Sequence, residues 1–536
     1  MTKQLLIAAI AVFSFATSQA QNYFLDTDYG TNGRTILGFP TASNVEMATM
    51  ALQPDGKVIT CGTYNYELCC PPAYFYDLAL ARFDTNGQPD SSFGVDGVAT
   101  IQILNMRESN HNEVKVLDDG KLLISVNGEG LFNGEFALVR LNSDGSRDET
   151  FGNNGQLNID FGGNESAWAM QVQPDGKIVI GGGSSITTLG NDAYDFTIAR
   201  LNADGSKDLD FGTNGLAKFN FGDGDNFSTF SEDLLFDLLL QPDGKIVAAG
   251  QSTVLLGDAK FALLRLNADG SADTEFGNQG RALTDFTAED ESAQSIALLP
   301  DGKIMVSGTH YYSNDDNEKV VVAKYNPDGS ADTTFGTDGK MMLDDGNENP
   351  RYFAFSSKVT PDGKLLVCGG GGNHSPNFDG FLVRFNADGT FDTTLGENGW
   401  LWADFGEWEV TADMVLQEDG ALVMGATTSF GTNRFLVWRY TTPALATTSS
   451  EKTAFAAAPN PFNDYVNLTF NLQQAQKLSI DLIDISGRLV GKFASGQYFA
   501  KGQNSFRVEV PQTLSKGTYF LKINDEKNTT TVKILK

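Results

Sequence analysis

The chain offers few of the side chains that catalysis usually recruits. Its 536 residues include three histidines, His111, His310 and His374, and four cysteines, Cys61, Cys69, Cys70 and Cys368. No H-E-x-x-H pair, G-x-S-x-G elbow or G-x-x-x-x-G-K-[ST] phosphate loop occurs, so zinc-peptidase, serine-hydrolase and P-loop chemistry have no motif here. Glycoside cleavage needs only two well-placed carboxylates, and 68 Asp and Glu residues leave that chemistry open. The cysteines lack C-x-x-C spacing and neighbouring histidines, which argues against a metal centre. A bond from Cys61 to Cys69 or Cys70 would instead staple one local loop.

Aromatic residues gather in a few irregular segments. Tyr64, Tyr66, Tyr74, Phe75 and Tyr76 crowd one, Tyr311 and Tyr312 follow His310 in another, His374 lies in a third, and Trp408 in a fourth. Exposed, they could stack on sugars or anchor a protein partner; folded down, they would cover strand edges. Asn202-x-Asp204-Gly205-x-x-Asp208 and Asn267-x-Asp269-Gly270-x-x-Asp273 have the oxygen-rich spacing of calcium loops. They lack the closing bidentate Glu, and Asx side chains cap their own turns without metal. Calcium apart, no cofactor is expected.

Charge narrows the partners. With 38 Lys and Arg against 68 Asp and Glu, the formal charge is −30, which repels phosphate backbones and excludes nucleic acid as a natural partner. At the N-terminus, Lys3, the apolar run Leu5 to Phe15 and Ser18-Gln19-Ala20 read as an export signal over residues 1–20, with the mature chain starting at Gln21. No later stretch has the roughly 18 uninterrupted apolar residues of a membrane helix.

The elements that must position these residues come from a repeat. Asp-Gly turns recur at Asp55, Asp119, Asp175, Asp243, Asp301, Asp362 and Asp419, followed by Lys in all but the last. After each of the first six comes D-x-x-F-G-x-x-G, around Phe93, Phe151, Phe211, Phe276 and Phe335, with Leu395 in the sixth. In the fifth unit, Ala293 to Leu299, Lys303 to Ser307, Lys319 to Tyr325 and Lys340 to Leu343 read as strands, because Asp-Gly between alternating apolar runs is a hairpin signal. Four antiparallel strands, repeated radially, make a propeller blade.

The seventh unit stops after Phe435 to Tyr440. Its missing element stands at the other end, as Asp26-Thr27-Asp28-Tyr29-Gly30-Thr31-Asn32-Gly33 followed by Arg34 to Phe39. The expectation is an all-β chain with a seven-bladed β-propeller over 21–442, closed by the N-terminal strand, which would protect two sheet edges. The repeat L-x-P-D-G-K-I-x-x-x-G followed by A-R-x-N-x-D-G-S-x-D-x-x-F-G-x-x-G resembles the bacterial delta-60 repeat. That resemblance implies a propeller and an extracytoplasmic habit, and no particular reaction.

Residues 443–456 read as a linker, and 457–536 carry 10 basic and 6 acidic side chains, opposite in sign to what precedes them. Six β-rich runs between Val466 and Ile534 predict a small sandwich. Pro459-Asn460-Pro461-Phe462, Leu482 to Val490, Leu514 to Ile523 and the basic end Lys533 to Lys536 resemble the type A C-terminal sorting domain of the type IX secretion system. The resemblance implies a partner, the type IX machinery acting on residues 457–536, and release at or attachment to the outer cell surface of a Bacteroidota-type bacterium.

In a four-stranded meander the Asp-Gly-Lys and Asn-x-Asp-Gly turns share one face, and the irregular connections share the other. Loops on a rigid scaffold are where binding usually resides. The binding candidates are therefore Tyr64, Tyr66, Tyr74, Tyr76, His310, Tyr311, Tyr312, His374 and Trp408. The expected function is a non-catalytic binding or structural propeller whose ligand is an extracellular glycan or protein. The alternative is a carbohydrate-active enzyme, which would show two carboxylates converging in a central pocket with raised pKa values.

Overall fold

Tight turns organise the chain before any core forms. In each unit the glycine of the Asp-Gly turn takes a positive φ, as at Gly56 (83°) and Gly244 (86°), the left-handed geometry that hairpin turns demand. The residue before the last glycine of F-G-x-x-G also sits left-handed, and it is never glycine: Asn32, Asp96, Asn154, Asn214, Gln279, Asp338 and Asn398, all near 53°. The presence of Asn32 in this set places the N-terminal segment among the repeats. A computed structural model describes residues 23–536 apart from 443–454 and a number of short segments, among them 40–43, 69–72, 104–111, 130–133, 186–193, 223–231, 313–316 and 373–377. The export signal, the linker up to 454, His111, His374, Cys69 and Cys70 lie outside the described residues.

Seven antiparallel sheets follow in chain order. The first comprises Asn44–Leu52, Val58–Leu68, Ala73–Phe83 and Val98–Ile101, each paired with the next. The seventh comprises Trp408–Leu416, Leu422–Ser429 and Asn433–Thr441, and its outer strand is Arg34–Leu37, in register as Arg34 with Trp438 through Leu37 with Phe435. The expected closure is therefore present. Phe24–Leu25 adds a short pairing to Thr441 and Tyr440.

Between neighbouring sheets lie apolar cores, one for each of the seven junctions. Ile59 and Leu80 of blade one meet Ile124 and Val139 of blade two. At the closing junction Val58 and Ala81 of blade one meet Val423 and Val437 of blade seven, with Tyr29 buried among them. Burial of apolar side chains between sheets is the main force holding the wheel.

The recurring polar letters of the repeat form a clamp in each blade. Asp208 accepts Lys177 Nζ at 2.9 Å and Arg200 Nε at 2.6 Å; the Arg200 guanidinium lies 4.6 Å from the Phe211 ring centre and donates to the Ala268 carbonyl of the next blade. Blade five substitutes Lys324, 3.5 Å from Asp332. In blade seven Ala421 replaces the lysine, and Asp26, from the other end of the propeller, meets Arg439. Arg439 then reaches the Thr85 carbonyl of blade one at 2.9 Å, and the Gly30 amide reaches the Asn86 carbonyl at 2.7 Å.

The innermost strand of six blades carries a one-residue bulge, at Ala48, Trp168, Phe236, Gln294, Phe355 and Ala412. A bulge re-aims the side chain at its extra residue. Five blades pair it with a glycine on the second strand; at Gly250 a Cβ would collide with the Leu234 carbonyl.

The chain divides into two compact units at Pro443/Ala444. In the second, Ala456–Ala458, Tyr465–Leu472 and Gly502–Glu509 form one sheet, and Leu489–Phe499, Gln476–Asp484, Thr518–Asn524 and Thr529–Leu535 the other. Phe470 and Val508 of the first share a core with Leu482 and Leu521 of the second. Among the described residues no helix is long and apolar enough to cross a membrane.

Candidate binding site: the axial cavity

The innermost strands of all seven blades line a cavity of about 980 Å³ along the propeller axis. Its walls are built by the bulged register. Counting seven residues back from each Asp-Gly turn gives Ala48, Asn112, Trp168, Phe236, Gln294, Phe355 and Ala412, and every one lines the cavity. Trp168 and Phe236 stack with centroids 5.2 Å apart and planes at 26°. Phe355 is 40% exposed and Trp408, at the end nearer the irregular connections, 38%.

One residue further on, the ring carries charge, and the charge is employed. Asp413 accepts Ser356 Oγ at 2.7 Å, the Met50 amide at 2.9 Å and the Met414 amide at 2.8 Å, tying blade seven to blades six and one. Asp237 accepts the Leu238 amide at 2.7 Å and the Ile296 amide of the next blade at 2.9 Å. Burial, reinforced by the Glu113 charge, pushes its carboxyl up to about 6. Glu113 pairs with Lys115 at 2.5 Å. Lys358 lies 3.7 Å from Asp413; burial works against its charge, but Asp413, Asp237 and Glu113 hold it above the ordinary lysine range.

The candidates on the irregular face fare differently. Trp408 lines the cavity, and Tyr311 lies 6.2 Å from the cavity residue Phe353. His310 lies inside its blade: it is 0% exposed, with Nδ1 3.0 Å from Glu291 Oε1. Its strand runs to Tyr311 rather than ending at Ser307, which carries the ring into the blade. Tyr312 packs edge-on against His310 at 4.4 Å. Tyr64 donates to Asp77 at 3.2 Å and is half-buried, and Tyr76 packs on the core between blades one and two. Tyr66 and Tyr74 belong to the strands Val58–Leu68 and Ala73–Phe83, with side chains outside the described residues.

The cysteine expectation also changes. Cys61 is a free thiol, fully buried in the core between blades one and two, so it staples no loop. The acidic turns are self-satisfied: Asp204 accepts the Ser206 hydroxyl at 2.7 Å and its amide at 2.9 Å, while Asp208 is held by two cations. A different acidic group, Asp379, Asp404 and Glu409, brings one oxygen from each within 4.8 Å. Glu409 there already accepts Thr428 Oγ1 at 3.1 Å and the Phe405 amide at 3.4 Å.

Sequence reasoning did not find Asn112, Trp168, Phe236, Phe355, Asp237, Asp413 or Lys358. The count back from Asp-Gly was the available signal.

A family model described as "Domain of unknown function (DUF5122) beta-propeller" matches six times, at 53–93, 117–151, 173–211, 241–276, 299–335 and 360–395. One described as "Secretion system C-terminal sorting domain" matches 456–536. No curated protein matches the chain. Among solved structures, polysaccharide lyase Uly1 aligns at TM-score 0.42 and 11% identity over 80% of this chain and 94% of that one. A protein of unknown function from Dyadobacter fermentans DSM 18053 aligns at 0.37 and 9%, over 77% and 98%. The GH93 alpha-L-arabinofuranosidase of Fusarium graminearum aligns at 0.37 and 9%, over 78% and 98%. These distant likenesses carry nothing about activity. By its repeats, its closed ring and its tail, the chain is a β-propeller of DUF5122 repeats with a type IX secretion sorting domain, marked for the exterior or surface of a Bacteroidota cell.

Proposed function

We propose that this secreted propeller is a non-catalytic glycan-binding protein that takes its ligand in the axial cavity. The observation that supports the reading is the pairing of aromatic faces with occupied carboxylates. Trp168, Phe236, Phe355 and Trp408 offer flat apolar surface to a sugar ring, while Asp413 and Asp237 spend their oxygens on backbone amides and hydroxyls that join blades. A catalytic acid must be free to give its proton to a leaving group. The second reading, a carbohydrate-active enzyme, is favoured by one feature, the Asp237 carboxyl raised to about 6 beside Glu113.

The test is a polysaccharide and oligosaccharide screen of the full chain, read by calorimetry and by release of new chain ends. Saturable binding without cleavage, weakened at least tenfold by Trp168→Ala, is the expected result. Cleavage abolished by Asp237→Asn would establish the second reading instead.

A further inference from the structure

Among the described residues of the axial cavity, two buried side chains hold unpaired polar atoms, Ser357 with one and Asn112 with both those of its amide. Asn112 is 3% exposed, lines the cavity, and has hydrogen-bond partners for neither Nδ2 nor Oδ1. Buried polar groups are nearly always paired, so an amide whose two polar atoms are covered and both unpaired calls for a partner. Its place fits that role. Asn112 stands in the same register as Trp168, seven residues before the Asp-Gly turn of its own blade, with Trp168 on the next blade around the axis and Ala48 on the one before. Ala48 and Ala412 leave room on one side of the ring, and the Trp168–Phe236 stack supplies a flat wall on the other.

The chemistry of the partner follows from what the cavity already contains. Each cavity lysine has an acidic neighbour, Lys115 with Glu113 and Lys358 with Asp413, so an anionic ligand would have to displace an internal pair, on a chain of charge −30. A primary amide holds a donor and an acceptor side by side, which matches two adjacent hydroxyls, one accepting from Nδ2 and the other donating to Oδ1. We propose that Asn112 reads a pair of neighbouring hydroxyls on an uncharged sugar ring that enters the axial cavity. The inference rests on the axial-cavity reading above and adds to it the reading residue and the charge class of the ligand.

The experiment titrates the full chain with matched neutral, uronic and amino oligosaccharides, together with monodeoxy forms of the best binder. The neutral series should bind, and Asn112→Ala should weaken it at least tenfold. The melting temperature of Asn112→Ala should stay level or rise, because the variant removes an unpaired buried amide. One monodeoxy form should lose affinity for the native chain and not for Asn112→Ala. Native affinity in Asn112→Ala together with loss in Trp168→Ala would overturn the role of Asn112 and leave the cavity reading standing. A preference for the uronic or amino series would overturn the charge assignment. Absence of binding across all three series would overturn both.

Discussion

Arg439 and Asp26 stand 413 residues apart in the chain and meet through two hydrogen bonds to one oxygen, Nε to Oδ2 at 2.7 Å and Nη2 to Oδ2 at 2.5 Å. The pair reproduces, across the ring closure, the contact that Arg200 and Asp208 make within one blade eight residues apart. The closing blade thus keeps the arginine–aspartate half of the clamp and dispenses with the lysine.

Arg439→Ala should destabilise the propeller by about 2 kcal/mol, a value suited to a part-buried pair whose loss leaves a charge behind. Asp26→Ala should do the same, and the double variant should cost less than the sum of the two. Urea unfolding checks this. Strictly additive effects would mean that the pair contributes nothing to closure.

Thermal stability should peak on the acid side, near pH 5. Burial raises Asp233 and Asp237 to about 6, so their cost to the fold is fully present above pH 6 and is relieved as pH falls towards the unfolded value near 4. The clamp carboxylates act oppositely. The Thr150 hydroxyl, followed by Lys121 and Arg140, holds Asp148 well below the carboxylate range, and that stabilisation, complete above about pH 4, is lost as pH drops further. Melting curves from pH 3 to 8 test both limbs, and Asp233→Asn should flatten the limb between 4 and 6. A steady decline in melting temperature from pH 7 to 4 would contradict the account.

His310→Ala should cost about 3 kcal/mol, because it strands the buried Glu291 carboxylate and opens a void. Ligand affinity should not change. A weakened affinity at full occupancy of the native state would return His310 to the binding site.

Cys61 and Cys368 should resist alkylation in the native protein. Both are fully buried, and burial pushes the Cys61 thiol up to about 12, so thiolate is scarce at pH 8. Peptide mass spectrometry after iodoacetamide treatment, with and without urea, provides the check. Native labelling at Cys61 would show that blade one opens.

What could be read in advance was set by local chain geometry. Asp-Gly turns and the left-handed residue of F-G-x-x-G are decided within four or five residues, so blade number, strand order and the role of Tyr29 could be counted from the letters alone. The cavity wall follows a different logic. Its register positions hold Ala, Asn, Trp, Phe, Gln, Phe and Ala, with no shared chemistry to reveal them, and they converge only because seven bulged strands close on one axis. The burial of His310 was hidden in the letters for a smaller reason. Thr309, His310 and Tyr311 look like the start of a polar loop, and only their pairing with Lys319 and its neighbours extends the strand through them.

A chain that emerges amino end first has its outer strand Arg34–Leu37 in hand long before Asn433–Thr441 exists to receive it. Until then the arc must persist as a crescent with a waiting, unmatched margin at each end, and every residue between them is made in that state. Completion is thus timed by the arrival of the final blade, and a chain cut short before Phe435 would be left with sticky ends rather than a smaller wheel.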